Sequence, residues 1–200
     1  MRRFNLLLAA SFLTLASAAG AQTVINFDNL SDGSVVTTQY AGVEFSSSTG
    51  FTNYVTAQNQ YNASKPNFIC SGPIGRGINC SSPTIVTFLS AVTNVSLKGM
   101  GINDVGNMKV AQVDLYNGAT FLGSQDILGN GQGFDPLFID LMSWGTITRL
   151  ELNNITDVAG IGWDDFAYTA GNMSAVPEPA SVVLLVTGLA GIVVVRRRRS

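Results

Sequence analysis

From position 22 to 170 the apolar and polar residues alternate in short runs, each broken after a few residues by glycine, asparagine, aspartate or serine. In one run Val110, Gln112, Asp114 and Tyr116 take one side while Ala111, Val113 and Leu115 take the other; in another Ile147, Arg149 and Glu151 oppose Thr148, Leu150 and Leu152. A period of two marks strands with one buried face, and no helical stripe recurs anywhere in this stretch. The pattern predicts strands over 23–27, 42–46, 51–57, 84–89, 92–98, 109–116, 120–125, 137–141, 146–152 and 162–168. Asn117-Gly118 predicts a tight hairpin between two of them, because both residue types tolerate positive φ. Ten short strands imply an all-β domain over 22–170, a two-sheet antiparallel sandwich of the jelly-roll type.

The two ends follow another pattern. Met1-Arg2-Arg3 is basic, positions 6–15 are apolar except for Ser11 and Thr14, and Ala19-Gly20-Ala21 supplies small residues, so residues 1–21 read as a signal peptide. At the far end 171–179 is a linker, and 180–195 is a run of sixteen residues without a charge. That run is read as a transmembrane helix, a little shorter than the roughly 20 residues of a full span. Arg196, Arg197, Arg198 and Arg199 follow at once, and positive residues stay on the cytoplasmic side, so 196–200 is expected inside and the body outside.

Before the apolar run stands Val176-Pro177-Glu178-Pro179, where two prolines bar a helix and favour an extended segment with an exposed carboxylate. The order VPEPAS, apolar run, arginine cluster resembles the PEP-CTERM sorting signal of Gram-negative bacteria. The resemblance implies that an exosortase reads Pro177, Glu178 and Pro179. It also implies export through the inner membrane, a membrane-anchored intermediate, and then the cell surface or an extracellular matrix rich in exopolysaccharide, as in biofilms.

Charge and chemistry narrow the function of the body. Of 11 basic and 13 acidic residues, the body keeps five basic against twelve acidic, a net charge of −7. Such a surface offers nothing to a phosphate backbone, so no nucleic-acid partner is expected. Cys70 and Cys80 flank a Gly/Pro-rich stretch and are expected to form a disulfide in an oxidising compartment. With no histidine, Ser-His-Asp and Cys-His catalysis and the usual catalytic zinc sites are excluded. A glycoside hydrolase would need a carboxylate pair; Asp164-Asp165 is the one adjacent pair, and strand neighbours point apart unless a bulge intervenes.

The opening strand ending in Phe27-Asp28, the hairpin VDLYNGATFLGS, the strand ITRLEL and the closing GIGWDDFAY together resemble galactose-binding-like and carbohydrate-binding-module jelly rolls. In such folds a structural calcium can tie the first strand to the last, which by resemblance points here to Asp28 with Asp164 or Asp165, or to Asn103, Asp104 and Asp157 in loops instead. Flat aromatic faces could stack on sugars, and Trp144, Trp163, Tyr54, Tyr61 and Tyr116 are the candidates, with Trp144 and Trp163 foremost. The leading expectation is a non-enzymatic, exosortase-sorted surface or matrix protein needing no cofactor except, in one reading, calcium. A carbohydrate-binding protein is the alternative, and a glycoside hydrolase comes third.

Overall fold

The computed structural model describes residues 20–57, 66–73, 79–101, 106–131, 135–157 and 160–171. The expected signal peptide, apart from its last two residues, and the sorting motif, transmembrane helix and arginine cluster lie outside them. Among the described residues no helix is long and apolar enough to cross a membrane.

The described chain is all-β. Its strands are β1 (Gln22–Ile25), β2 (Val43–Ser46), β3 (Thr52–Ala57), β4 (Asn67–Gly72), β5 (Thr84–Met100), β6 (Lys109–Asn117), β7 (Thr120–Leu128), β8 (Leu137–Asp140), β9 (Ile147–Asn153) and β10 (Gly162–Ala170), with a 3₁₀ turn over Met142–Trp144. All ten pair antiparallel in one sheet, along the path β3-β4-β10-β5-β9-β6-β7, with β1 on β10 and both β2 and β8 on β5. The expected runs 84–89 and 92–98 are a single strand, β5. Its register shifts between Thr87 and Val92, where Leu89 is exposed, and Asn94 takes a positive φ of 53°. Irregularity of this kind bends a strand and strengthens its twist. The first half of β5 accordingly pairs with β2 and β9, and the second half with β10 and β8.

Side chains from both halves meet in one core. Val86, Leu150 and Leu115 stand in register on β5, β9 and β6, all buried, and belong to the same core as Leu97, Phe166 and Trp163 from the other half. Phe45 on β2 meets Phe166 on β10 edge-on at 5.5 Å, and Phe27 packs edge-on against both. Edge-to-face contact puts the positive ring edge against the negative ring face, which adds to the area buried.

Strand β4 was not foreseen from the sequence. All six of its residues are buried, so no polar alternation marks it, and it begins directly after Pro66. The expected disulfide is present: Cys70 on β4 bonds Cys80, with Cα atoms 4.8 Å apart. It closes a second, smaller apolar cluster of Tyr54, Phe68, Cys70, Cys80 and Met100. Gly162 serves that cluster, since a Cβ there would lie 2.4 Å from the Phe68 ring. The expected hairpin is present with its turn one residue later. Asn117 closes the ladder opposite Thr120, and Gly118 takes the positive φ of 59°.

Candidate functional site

The strand β6 sits between β7 and β9, and register carries its outward residues into rows. Asp114 lies opposite Ser124 on β7 and Glu151 on β9; Gln112 lies opposite Asp126 and Asn153; Tyr116 lies opposite Phe121 and Arg149. Each row continues the polar side of the alternation, because Val113, Leu115, Leu150 and Leu152 between them point into the core. The result is a solvent-facing plane of carboxylates, amides and aromatic rings on three rigid strands.

Asp114 is the hub of that plane. Its Oδ1 accepts from Gln112 Nε2 at 2.6 Å and from the Ser124 hydroxyl, and its Oδ2 accepts from Asn153 Nδ2 at 2.7 Å. Burial pushes the Asp114 carboxyl up, yet the donors Ser124, Gln112 and Asn153, helped by the charge of Lys109, bring it below its ordinary value. Hydrogen bonds to the charged form favour that form, so Asp114 stays ionised.

Directly across from it Glu151 lies 3.2 Å from Arg149 Nε, and Lys109 Nζ lies 2.6 Å from Asp126. Thus both cations of this plane already hold carboxylates. Tyr116 is clasped between Arg149, whose guanidinium carbon stands 4.0 Å from its ring centre, and Phe121, 5.3 Å away. Phe121 is 54 % exposed and presents the open ring face of the group.

The aromatic residues singled out from the sequence fall in other places. Trp163 is 0 % exposed and fills the main core, so it offers no face to a sugar; the expectation of stacking there is corrected by burial. Trp144 is half-buried. Its ring lies where a Cβ on Gly123 would be, 2.7 Å away, and its Nε1 donates to Gln125 Oε1 at 3.1 Å. It therefore packs against β7 from the inner side. Tyr54 is buried under the disulfide cluster, and Tyr61 lies outside the described residues. Among the described candidates only Tyr116 reaches the outward plane. Phe121 was missed because phenylalanine opposite an exposed tyrosine is visible only once β6 and β7 are in register.

The acids proposed for calcium divide. Asp28 and Asp164 both act on Tyr40, whose phenol is pushed up first by burial and then by the charges of Asp28 and Asp164. Asn67 ties the same corner: its backbone N–H donates to Asp28 Oδ1 at 3.1 Å, and its Nδ2 donates to the carbonyls of Phe27 and Leu30. Asp165 does not join them. It takes a positive φ of 48° in a β-bulge and pairs with Lys98 Nζ at 2.8 Å. Asp157 is buried in the approach to β10, and Asn103 and Asp104 lie outside the described residues. Among the described residues no three acidic, cysteine or histidine side chains gather around one point. Two carboxylates can hold calcium where water completes the six to eight oxygens that it takes.

Residues 175–199 match the PEP-CTERM protein-sorting motif. That motif implies exosortase processing of a protein that is exported, anchored in the membrane and sorted to the surface of a Gram-negative bacterium. No curated protein matches the chain. Among solved structures it is similar to the K2 cleaved adhesin domain of Lys-gingipain and to the K1 domain from Porphyromonas gingivalis W83. Each has 14 % identity and a TM-score of 0.47, over 76 % of this chain and 99 % of the other. It is also similar to the carbohydrate-binding module CBM29-2, with 8 % identity and a TM-score of 0.40, over 76 % of this chain and 92 % of that one.

Proposed function

We propose that this chain is a non-enzymatic protein of the cell surface or extracellular matrix, released or retained through exosortase sorting and associated with exopolysaccharide. The observation that carries the reading is the sorting motif at 175–199, placed after the folded body. In this reading residues 1–21 are removed on export, 180–195 hold the chain in the inner membrane, and Arg196 to Arg199 keep its end inside. The body between them is a jelly-roll-type sandwich carried outward.

Within that role, the plane around Asp114, Tyr116 and Phe121 supports a carbohydrate-binding use. Exposed ring, fixed amides and fixed carboxylate are the groups that stack on and hydrogen-bond to a sugar, and rigid strands hold them without further ordering. A lowered Asp114 does not suit the general-acid role of a glycosidase, which needs a carboxyl whose pKa is raised. Asp28 and Asp164 would hold a calcium ion as a brace between the β1 end and β10, not as part of the binding plane.

The test is fractionation of producing cells with and without their exosortase, with the mass of the product read at each location. A shortened product at the surface or in the matrix, replaced by a membrane-held longer one when the enzyme is absent, is expected. A product that keeps its four terminal arginines in both strains while remaining soluble would refute the sorting role.

A further inference from the structure

We infer that the outward plane of β6, β7 and β9 recognises a glycan bearing primary ammonium groups, such as a chain of de-acetylated amino sugars; the inference rests on the carbohydrate-binding reading of that plane. Its basis is an ionised carboxylate, Asp114, that is held by neutral donors and, among the described residues, makes no ion pair of its own. Asp114 and Glu151 are direct cross-strand partners on one face, and like charges so placed repel each other. The neighbouring cations offset Glu151, through Arg149, but form no salt bridge to Asp114. Arg149 is committed to Glu151 and to the Tyr116 ring, and Lys109 to Asp126. The donors that hold Asp114 directly are neutral amides and a hydroxyl, which orient its charge without neutralising it.

Glu44 on β2 adds another exposed carboxylate at the far side of the same sheet half, opposite Thr87 of β5. Among the described residues neither Glu44 nor Asp114 makes an ion pair. A polyuronate would meet this plane charge against like charge, and an acetylated sugar would leave the fixed carboxylate without a counter-charge. An ammonium supplies that charge.

The aromatic group specifies a sugar rather than a bare cation. Asp114 and Tyr116 are two residues apart on one face of β6, roughly 7 Å along the strand. A pyranose lying on Phe121 beside Tyr116 can span that interval and direct a ring substituent to the remaining lone pair on Asp114 Oδ2. Arg149, stacked on the opposite side of Tyr116, keeps the ring pair upright.

Calorimetric titration of the full chain, exported and solubilised in mild detergent, with hexamers of glucosamine, N-acetylglucosamine and glucose tests this. At mildly acid pH the glucosamine hexamer is expected to bind at least about tenfold tighter than the other two, and to lose that advantage in high salt or when its amines are deprotonated. Asp114→Asn should abolish the preference, and Phe121→Ala should weaken all binding. Should Asp114→Asn fail to fold, Glu44→Gln replaces it, with a smaller loss of the same preference. Equal or tighter binding of the neutral hexamers overturns the inference and leaves the carbohydrate reading standing. Binding of none overturns both. Oligolysine binding as tightly as glucosamine, or calcium alone binding at a site lost in Asp114→Asn, overturns it in favour of a peptide or a metal ion.

Discussion

Replacing Asp114 by asparagine tests the electrostatics of the outward plane through stability alone. Three donors converge on its carboxylate, from Gln112, Ser124 and Asn153. Hydrogen bonds to a charged group are worth about 1.5–3 kcal/mol each when buried. The plane faces solvent, water replaces part of what is lost, and removing the charge relieves repulsion with Glu151, so the net loss at neutral pH is about 1–2 kcal/mol. For a domain of this size that lowers Tm by roughly 2–8 °C. The sign with pH follows from the lowered carboxyl. Its stabilisation is complete above the ordinary aspartate value of about 3.9 and disappears as pH falls through the lower folded-state value. Urea unfolding of both proteins at pH 7 and again near pH 2 reads it. The variant should be the less stable at pH 7, and the gap should close in acid. A gap that stays constant, or opens only in acid, would show that Asp114 is not held as an anion.

Removing the Cys70–Cys80 bond by a double change to serine unties the small cluster on Tyr54, Phe68 and Met100; closing so short a loop contributes about 3 kcal/mol, readable as a shift in urea midpoint that reductant reproduces in the native chain. Gly123→Ala places a Cβ 2.7 Å from the Trp144 ring at a φ of 145°, so Trp144 must move outward. Its fluorescence should shift to the red with a destabilisation of about 1–3 kcal/mol, and an unmoved spectrum would refute the packing described for it. If calcium braces Asp28 to Asp164, EDTA lowers the melting temperature and the double change of both to asparagine removes the effect. An identical melt with and without chelator, and no metal found by elemental analysis, would dispose of the ion.

Much of this protein was legible before any tertiary information. The alternation that put Gln112, Asp114 and Tyr116 on one side of a strand, and Arg149 and Glu151 on one side of another, is a local property of each segment, and the structure keeps both. The same holds for the Cys70–Cys80 pair, whose short separation made ring closure favourable. The sorting motif is also local, since 175–199 match it as one continuous segment.

Tertiary structure alone decided which strands are neighbours. Placing Asp114 against Glu151 requires β6 and β9 to meet across 36 intervening residues, and nothing within either strand specifies that register. It also reversed the standing of the aromatics. Trp163 and Phe121 are both strand aromatics, yet Trp163, opposite Gly99 of β5, is buried in the core, whereas Phe121, opposite Tyr116 of β6, faces outward. The bulge beside Asp165, where the register with β5 shifts, is likewise invisible in the local pattern. Side-chain period is written in the chain itself, whereas pairing partners, bulges and burial emerge only when distant segments compete for the same core.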